Sequence, residues 1–446
     1  MSHWRRYPIY KDSAVEWLGE VPEGWENWKL SHSFKKIGSG TTPLTDKTEF
    51  YDNGAIPWVN TSELRENILL DTEKKITKLA LREYSALKIY PKNSLLFAMY
   101  GATIGRLAIL GIPATVNQAC CVFSDSKVCD IKFVFYWLWM RKNELIVVSS
   151  GGGQPNLNQE KLREIRIPIP PLFEQTTIAA FLNRETARID ALISKKERQI
   201  ELLQEKRAAL ISHAVIKGLD PNVKMKDSGV EWIGEVPEHW IVGKLGAISI
   251  VKARLGWRGL KASEYVEEGF VFLSTPNIKE NEIDFKNVDH ITPSRYYESP
   301  EIMLSDGDVL LAKDGSTLGT VNVIRKLPSP ATVNSSIAVI KPKEKVCSIF
   351  LFYFLRSRYT QDVITQIKGG MGVPHLFQWD IRKFIILLPS EEEQSVIATY
   401  LDEESARIDS LIEKIRHSKD LLKEYRTSLI SAAVTGKIDV RGEVKA

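Results

Sequence analysis

KDSAVEWLGEVPEGW, residues 11–25, returns as KDSGVEWIGEVPEHW at residues 226–240. Twelve of the fifteen positions are identical, and each pair lies 215 residues apart. Sliding the chain on itself extends the match well beyond this phrase. GATIGRLAIL from Gly101 faces GSTLGTVNVI from Gly315 at an offset of 214. ATVNQACCVF from Ala114 faces ATVNSSIAVI from Ala331, and FVFYWLWMR from Phe133 faces FLFYFLRSR from Phe350, both at 217. EQTTIAAFLNRETARIDALI from Glu174 faces EQSVIATYLDEESARIDSLI from Glu393 at 219, as LISHAV from Leu210 faces LISAAV from Leu429. The drifting offset places small insertions in loops, where they are tolerated. The chain is a tandem duplication, and two copies suit two similar lobes about a pseudo-two-fold axis rather than a solenoid.

The copies match best at the opening phrase and near their ends. Gly40–Lys88 has little visible counterpart in Ala253–Ile302. A frame kept twice around middles that diverged is the pattern expected if each middle recognises something different.

The C-terminal part of each copy reads as a long helix. No proline or glycine interrupts Thr176–Val215, and apolar residues recur at spacings of 3, 4 and 7 through Ile178, Phe181, Leu182, Ile189, Leu192, Ile193, Ile200, Leu203, Leu210, Ile211 and Val215. The second copy repeats the stripe through Ile397, Leu401, Ile408, Leu411, Leu422 and Ile430. Prolines precede both runs, and Gly218 and Gly436 follow them. A helix of about 40 residues spans ~60 Å and cannot hide its stripe inside one small domain. The two are expected to pair antiparallel as an imperfect coiled coil, with Lys196 falling inward in one frame.

The middles read as α/β. LKIYPKNSLLFAMYGATIGRLAIL is strand, turn, strand, and SDGDVLLAKDGSTLGTVNVI from Ser305 repeats it. FVFYWLWM is eight apolar residues, a buried helix too short for the roughly 20 that a bilayer needs. Each hairpin carries a polar loop, and the glycine runs GGGQPNLN from Gly151 and KGGMGVPHLF from Lys368 are expected to order on a ligand. Residue types that donate to phosphate or base edges single out Tyr100, Thr103, Arg106, Lys313, Ser316 and Thr317 in the hairpin loops. Gln154, Asn156, Asn60 and Thr61 join them, with Arg254, Trp257, Arg258 and Lys261 from KARLGWRGLK.

Composition and motifs narrow the chemistry. Of the 446 residues 43% are hydrophobic and 26% charged, with net charge +4. The pI of about 8.6 is short of a strongly basic DNA-binding domain. Any phosphate-binding charge is therefore local or shared with partners. Cys120, Cys121, Cys129 and Cys347 show no metal-ligand spacing and read as buried thiols of a cytoplasmic protein. The N-terminal stretch lacks the apolar core of a signal peptide. Neither glycine run is followed by G-K-[S/T], no methyltransferase motif is present, and Glu73-Lys74-Lys75 is a lone E-x-K. The chain reads as a recogniser without catalytic, cofactor or metal residues. The rival readings are a stand-alone DNA methyltransferase or nuclease, and a helical scaffold with no nucleic-acid role.

The phrase D-S-[AG]-V-E-W-[LI]-G-E-V-P-E-x-W, the pair E-Q-x-x-I-A-x-[FY]-L and A-R-I-D-x-L-I, and the ending L-I-S-x-A-V-x-x-G occur in order, twice. This set resembles the specificity (S) subunits of type I restriction-modification systems across essentially the whole chain. The resemblance implies an α+β fold: two pseudo-symmetric α/β target-recognition domains joined by two long antiparallel helices. Residues 1–170 would be the first domain, with a docking segment at 11–25, and 171–220 the central helical region. Residues 221–388 would be the second domain and 389–446 the C-terminal helical region. Each domain would read one half of a split site in double-stranded DNA. The helices would set the spacer and dock methyltransferase (M) subunits, two of them, with restriction (R) subunits joining. S-adenosylmethionine, ATP and magnesium would belong to those partners. The opening phrase, with Trp17 and Trp25 expected buried, would be a clasp holding each domain on the helical frame. Its first copy should then lie beside Gly436.

Overall fold

The computed structural model describes residues 4–149, 157–254, 260–367 and 375–443. They form two compact units, Met1–Lys196 with His417–Ala446, and Glu197–Arg416. Both boundaries fall inside long helices, Leu172–Lys217 of 46 residues and Glu391–Val434 of 44. Each unit thus holds the early half of one helix and the late half of the other, so the helices run antiparallel. The first begins a turn earlier than the apolar stripe predicts, directly after Pro171, whose carbonyl accepts from the amides of Glu174 and Gln175. The second ends in a left-handed glycine, Gly436 at φ +71°. There Lys437 donates to Ala432 O at 2.8 Å and Gly436 to Ala433 O at 3.3 Å, satisfying two carbonyls the helix leaves open.

In the first unit a five-stranded sheet has the order Lys36–Gly38, Cys120–Ser124, Leu95–Ala98, Leu107–Leu110, Asn67–Leu69. Its central strands are buried on both faces, which is why LLFA, LAIL and CCVFS carry no polar alternation. Alternate residues still sort to opposite sides. Leu95, Phe97, Leu107, Ile109, Cys121 and Phe123 pack with the Ile131–Ser149 helix and the long helices. Leu96, Ala98, Ala108, Leu110, Cys120 and Val122 pack with Val59, Leu64 and Val116. Val59 and Val116 belong to a second sheet, in which Thr115–Val116 runs parallel to Ile56–Val59 and Lys74–Ile76 antiparallel to it.

The second unit repeats this plan. Ser249–Ala253, Ile337–Pro342, Val309–Ala312 and Val321–Val323 form the main sheet. Ala331–Val333 runs parallel to Phe270–Leu273, which pairs antiparallel with Asp289–Ile291. The middles that share little sequence therefore share the pairing order of their central strands, although the first main sheet adds a fifth strand, Asn67–Leu69, and the smaller sheet of the second unit adds Tyr265–Val266. Their short turns even match: Thr61–Glu63 and Thr275–Asn277 are 3₁₀ turns, each closed by a reciprocal capping box from Asn60 and Ser274. Strands of three or four residues leave too few positions for the kinship to show in sequence.

The repeated motifs are the joints between each recognition fold and its helices. Gln175, fully buried, accepts from Asp130 N and donates to Val128 O and Pro170 O, each at 2.8 Å. Gln394 does the same with Cys347 N, Lys345 O and Pro389 O. Tyr136 reaches Asn183 and Thr186, while Tyr353 reaches Asp402 and Ser405. Asp190 pairs with Arg426 in the first unit, and Asp409 with Arg207 at 2.6 Å in the second.

The clasp is present in both units. Trp25 is 1% exposed and donates Nε1–H to Glu174 Oε1 at 2.9 Å, while the Tyr7 hydroxyl donates to the same oxygen at 2.6 Å. The Tyr10 hydroxyl donates to Gly436 O at 3.0 Å, so residues 11–25 begin beside Gly436, as the repeat requires. Trp240, also buried, donates to both oxygens of Glu393 at 3.1 Å. The segment then enters a strand, Glu26–Lys29 or Ile241–Lys244, paired with the strand leading into the long helix.

Two expectations are corrected. Trp17 is 44% exposed, because the apolar anchors of the phrase are Leu18, Val21 and Trp25 instead. Leu192 and Leu411 stand outside the buried stripe, as do Leu202 and Leu421. Where only two helices meet, the seam is narrower than the apolar pattern.

Candidate nucleic-acid interface

In the first unit three polar segments adjoin. The hairpin loop after Ala98 turns through Gly101 and Gly105, at φ +81° and +79°, a conformation that side chains with a Cβ resist. Arg106 Nε donates to Leu64 O at 3.1 Å, tying this loop to the Thr61–Glu63 turn. Leu157 N donates to Met99 O at 2.9 Å, bringing in the segment before the Gln159–Glu164 helix. Asn117 joins the turn to the main sheet. It donates from Nδ2 to Asn60 Oδ1 at 3.0 Å and from its backbone to Val59 O at 3.0 Å. The structure thus gathers Asn60, Thr61, Tyr100, Thr103 and Arg106 on one face.

Their roles divide. Thr61, Tyr100 and Thr103 are half-buried at the surface. Burial pushes the Tyr100 phenol above its ordinary range, with Cys120 adding to the shift, so it stands as a neutral hydroxyl. Asn60 is committed to its capping box. Arg106 pairs with Glu66 at 3.2 Å, and Lys142 shares that carboxylate at 3.5 Å. The Arg106 side chain ties the loop to the turn and keeps 41% of its surface exposed.

In the second unit the Gly315–Gly319 loop occupies the matching place. Ser316 is exposed and Thr317 half-buried. Lys313 is 7% exposed, and burial lowers its pKa. Its Nζ lies 3.5 Å from Asp314 and 3.3 Å from His375. Arg254 is 4% exposed, with Nε donating to Val333 O at 3.2 Å and the guanidinium 5.7 Å from the Phe272 ring centre. Lys313 and Arg254 are interior supports and cannot touch DNA as they stand. Lys261 is exposed but apart from this loop, on the turn capped by Glu264. Gln154, Asn156, Trp257 and Arg258, with the glycines of both runs, lie outside the described residues.

An aromatic surface beside the second loop was missed in sequence. Phe377 and Trp379, 52% and 56% exposed, stack with centroids 6.1 Å apart at 16°. His375 packs edge-on to Phe377 at 4.6 Å, and Lys383 Nζ sits 4.0 Å over Trp379. Two exposed rings with a cation over one make a platform for planar groups. The signal was the alignment of NLNQE, Asn156–Glu160, with HLFQWD from His375: Asn158 and Glu160 face Phe377 and Trp379. Among the described residues no cluster of three His, Cys, Asp or Glu side chains could hold a metal ion. Among them, too, no helix is long and apolar enough to cross a membrane.

One repeated frame carrying two surfaces of different chemistry defines a two-domain recognition protein. The family profile "Type I restriction modification DNA specificity domain" matches twice, at residues 22–202 and 237–418, and the chain belongs to that family. It is similar to the type I restriction enzyme MjaVIII specificity subunit of Methanocaldococcus jannaschii, 27% identical over 426 residues and 94% of either chain. The EcoKI specificity subunit of Escherichia coli K12 is 21% identical over 431 residues, 94% of this chain and 90% of that one. Among solved structures, a chain from work on complex assembly and conformational transition of a type I R-M system superposes with TM-score 0.72. It is 16% identical and covers 93% of this chain and 98% of its own. The HsdS subunit from Thermoanaerobacter tengcongensis gives 0.56 at 17% identity, covering 94% and 98%. These likenesses carry the fold.

Proposed function

We propose that this chain is the non-catalytic DNA-specificity subunit of a type I restriction-modification complex, each unit reading one half of a bipartite site. The observation that carries this reading is the contrast between constant frame and changed surface. Gly101 and Gly105 match Gly315 and Gly319, while Tyr100 and Arg106 face Asp314 and Thr320. A protein reading two different half-sites needs the same scaffold under different donors and acceptors.

Thr61, Tyr100 and Thr103 are the contacts offered by the first unit, and Ser316, Thr317, Phe377 and Trp379 by the second. The partners are double-stranded DNA, two modification subunits and the restriction subunits. Exposed Leu192, Leu202, Leu411 and Leu421 on the long helices support docking there. The helices run through both units and set the gap between half-sites. S-adenosylmethionine, ATP and magnesium are handled by the partners, in the compartment that holds the host DNA.

Expression with the partner subunits in a host lacking such a system, followed by methylome mapping, tests the reading. The expected motif is two short blocks with a fixed gap. Phe377→Ala with Trp379→Ala alters one block only, and a four-residue deletion in both long helices changes the gap. A methylated motif in one uninterrupted block overturns the proposal. So does methylation by the purified chain alone.

A further inference from the structure

A cavity in the second unit is not used by the contacts proposed above. Its volume is about 500 Å³, and its lining includes Gln204, Arg207, Glu280, Gly319, Thr320 and Arg356. It lies between the Leu172–Lys217 helix, the end of the Ser348–Arg356 helix and the loop that carries Ser316 and Thr317. Arg207 is buried and pairs through Nη1 with Asp409 at 2.6 Å. Arg356 is half-buried and, among the described residues, forms no ion pair. Its guanidinium lies 5.1 Å from the Phe352 ring centre, in the last turn of its helix. A ring face and a helix C-terminus each favour a cation, but neither supplies a full counter-charge. Glu280, exposed on the cavity wall, acts on Arg356 only at longer range. Burial and then the Arg207 charge lower the Arg356 pKa, so an anion in the cavity would stabilise the pair of cations.

The first unit shows the same frame without this pair. Trp139 stands where the second unit has Arg356. Arg426, the counterpart of Arg207, packs 5.3 Å from the Trp139 ring centre and pairs with Asp190. A favourable cation–ring contact in one unit is thus replaced by two neighbouring like charges in the other. Folding alone favours the first arrangement. The rim of the cavity indicates which anion the second arrangement serves. Leu318, Gly319 and Thr320 follow directly on Ser316 and Thr317. Gln361 Nε2 donates to Gly319 O at 3.0 Å and to Leu355 O at 2.9 Å, which fixes this loop to the helix that ends in Arg356. Lys313 and Arg254 are interior supports, so a charge for the DNA backbone beside this loop has to come from another wall.

We propose that Arg356, with the Arg207 charge beside it, binds a backbone phosphate next to the bases read by Ser316 and Thr317. The first unit, with Trp139 at that place, makes no such contact. The proposal rests on the function proposed above and deepens it. A phosphate contact carries no sequence information, but it fixes register and orientation on the duplex. Here it does so from a helix that is hydrogen-bonded to the reading loop, and in one unit of the two.

Fluorescence anisotropy over a salt series tests this, with the chain assembled with its modification subunits and a duplex carrying the mapped bipartite motif. Arg356→Gln should weaken binding roughly tenfold and reduce the slope of log K against log salt by about 1, for the motif and for unrelated duplex alike. Arg356→Trp gives Arg207 the ring that Arg426 has, and should do the same with a thermal midpoint no lower than the wild type's. A methylphosphonate scan removes one backbone charge at a time. It should find a phosphate beside the second block whose neutralisation weakens the wild type roughly tenfold and the Arg356 variants no further. Unchanged affinity and salt slope in both variants overturns the proposal, as does a wild-type scan with no such phosphate beside the second block. A loss confined to one base-pair identity makes Arg356 a base reader and overturns it too. Inorganic phosphate that raises the midpoint of the wild type but not of Arg356→Gln, with DNA binding equal in the two, makes the cavity a free-phosphate site and overturns the backbone contact. A wild-type complex without preference for any bipartite duplex overturns the specificity reading, and the proposal with it.

Discussion

Gly436 and Gly218 end the two long helices in the same left-handed conformation, φ +71° and +76°, yet their surroundings differ. A Cβ on Gly436 would sit 2.4 Å from Pro22 Cδ, 2.6 Å from Pro22 Cγ and 3.3 Å from Trp25 Cη2. On Gly218 it would meet Glu393 Oε1 and Trp240 Cζ2 at 3.4 Å, ordinary contact distances. Alanine at either site incurs the left-handed strain, roughly 1–2 kcal/mol. Only Gly436→Ala must also displace a proline ring fixed in a strand, an overpacking penalty of about 1–3 kcal/mol. Gly436→Ala should thus destabilise its joint by about 2–5 kcal/mol, against about 1–2 for Gly218→Ala. Two units need not unfold together, so hydrogen exchange read peptide by peptide is the suitable assay. Protection around Val21–Trp25 should fall by roughly thirtyfold or more in Gly436→Ala, and around Val236–Trp240 by roughly tenfold in Gly218→Ala. Equal losses, or a larger one in Gly218→Ala, would refute the reasoning that the clasp closes on the helix end.

Arg106→Ala should lower the stability of the first unit by ~1 kcal/mol, because its partly exposed guanidinium holds Glu66 and Leu64. Loss of one half-site at unchanged stability would instead make Arg106 a base reader. Burial raises the Cys120 thiol and pushes Cys121 up to about 12 and Cys129 to about 11, so a thiol-reactive dye should label only half-buried Cys347 in the folded chain. Rapid labelling of two or more thiols contradicts this. Hydrogen bonds from Asn287, together with Lys279 and Lys286, hold Asp284 well below its ordinary 3.8. A depressed folded pKa gives stability present above about pH 4 and lost as pH falls through the acid range. Asp284→Asn should therefore be less stable than wild type at pH 7, by a margin that begins to narrow below about pH 4 and goes on narrowing as pH falls further. Parallel urea-midpoint curves over that range would count against the assignment.

The recurrence of short motifs made the architecture legible. Glu174-Gln175 and Glu393-Gln394 are kept because one side chain takes a clasp tryptophan while the other closes three backbone bonds. Such joints tolerate no substitute, so they survive as identities. The second sheet was hidden, since Val59–Leu64 and Leu273–Ile278 share one threonine and are related by backbone pairing alone. The interface was legible by location and less so by residue. Arg254, Lys313 and Arg106 have the chemistry of DNA readers, but burial or an ion pair engages each of them.

The sequence by itself determined the duplication, the two long helices with their glycine stops, the hairpins, and the return of the first phrase to the end of the chain. These follow from periodicity, backbone conformation and repetition, all local or self-referential properties. Only the tertiary structure decided which repeated residues point inward. Trp25 and Trp17 stand eight positions apart in one phrase with the same side chain, and a buried carboxylate takes one while solvent keeps the other. Exposure is set by what the rest of the chain brings to a residue. KDSAVEWLGEVPEGW therefore holds two kinds of residue, those buried against its own helix and those left at the surface.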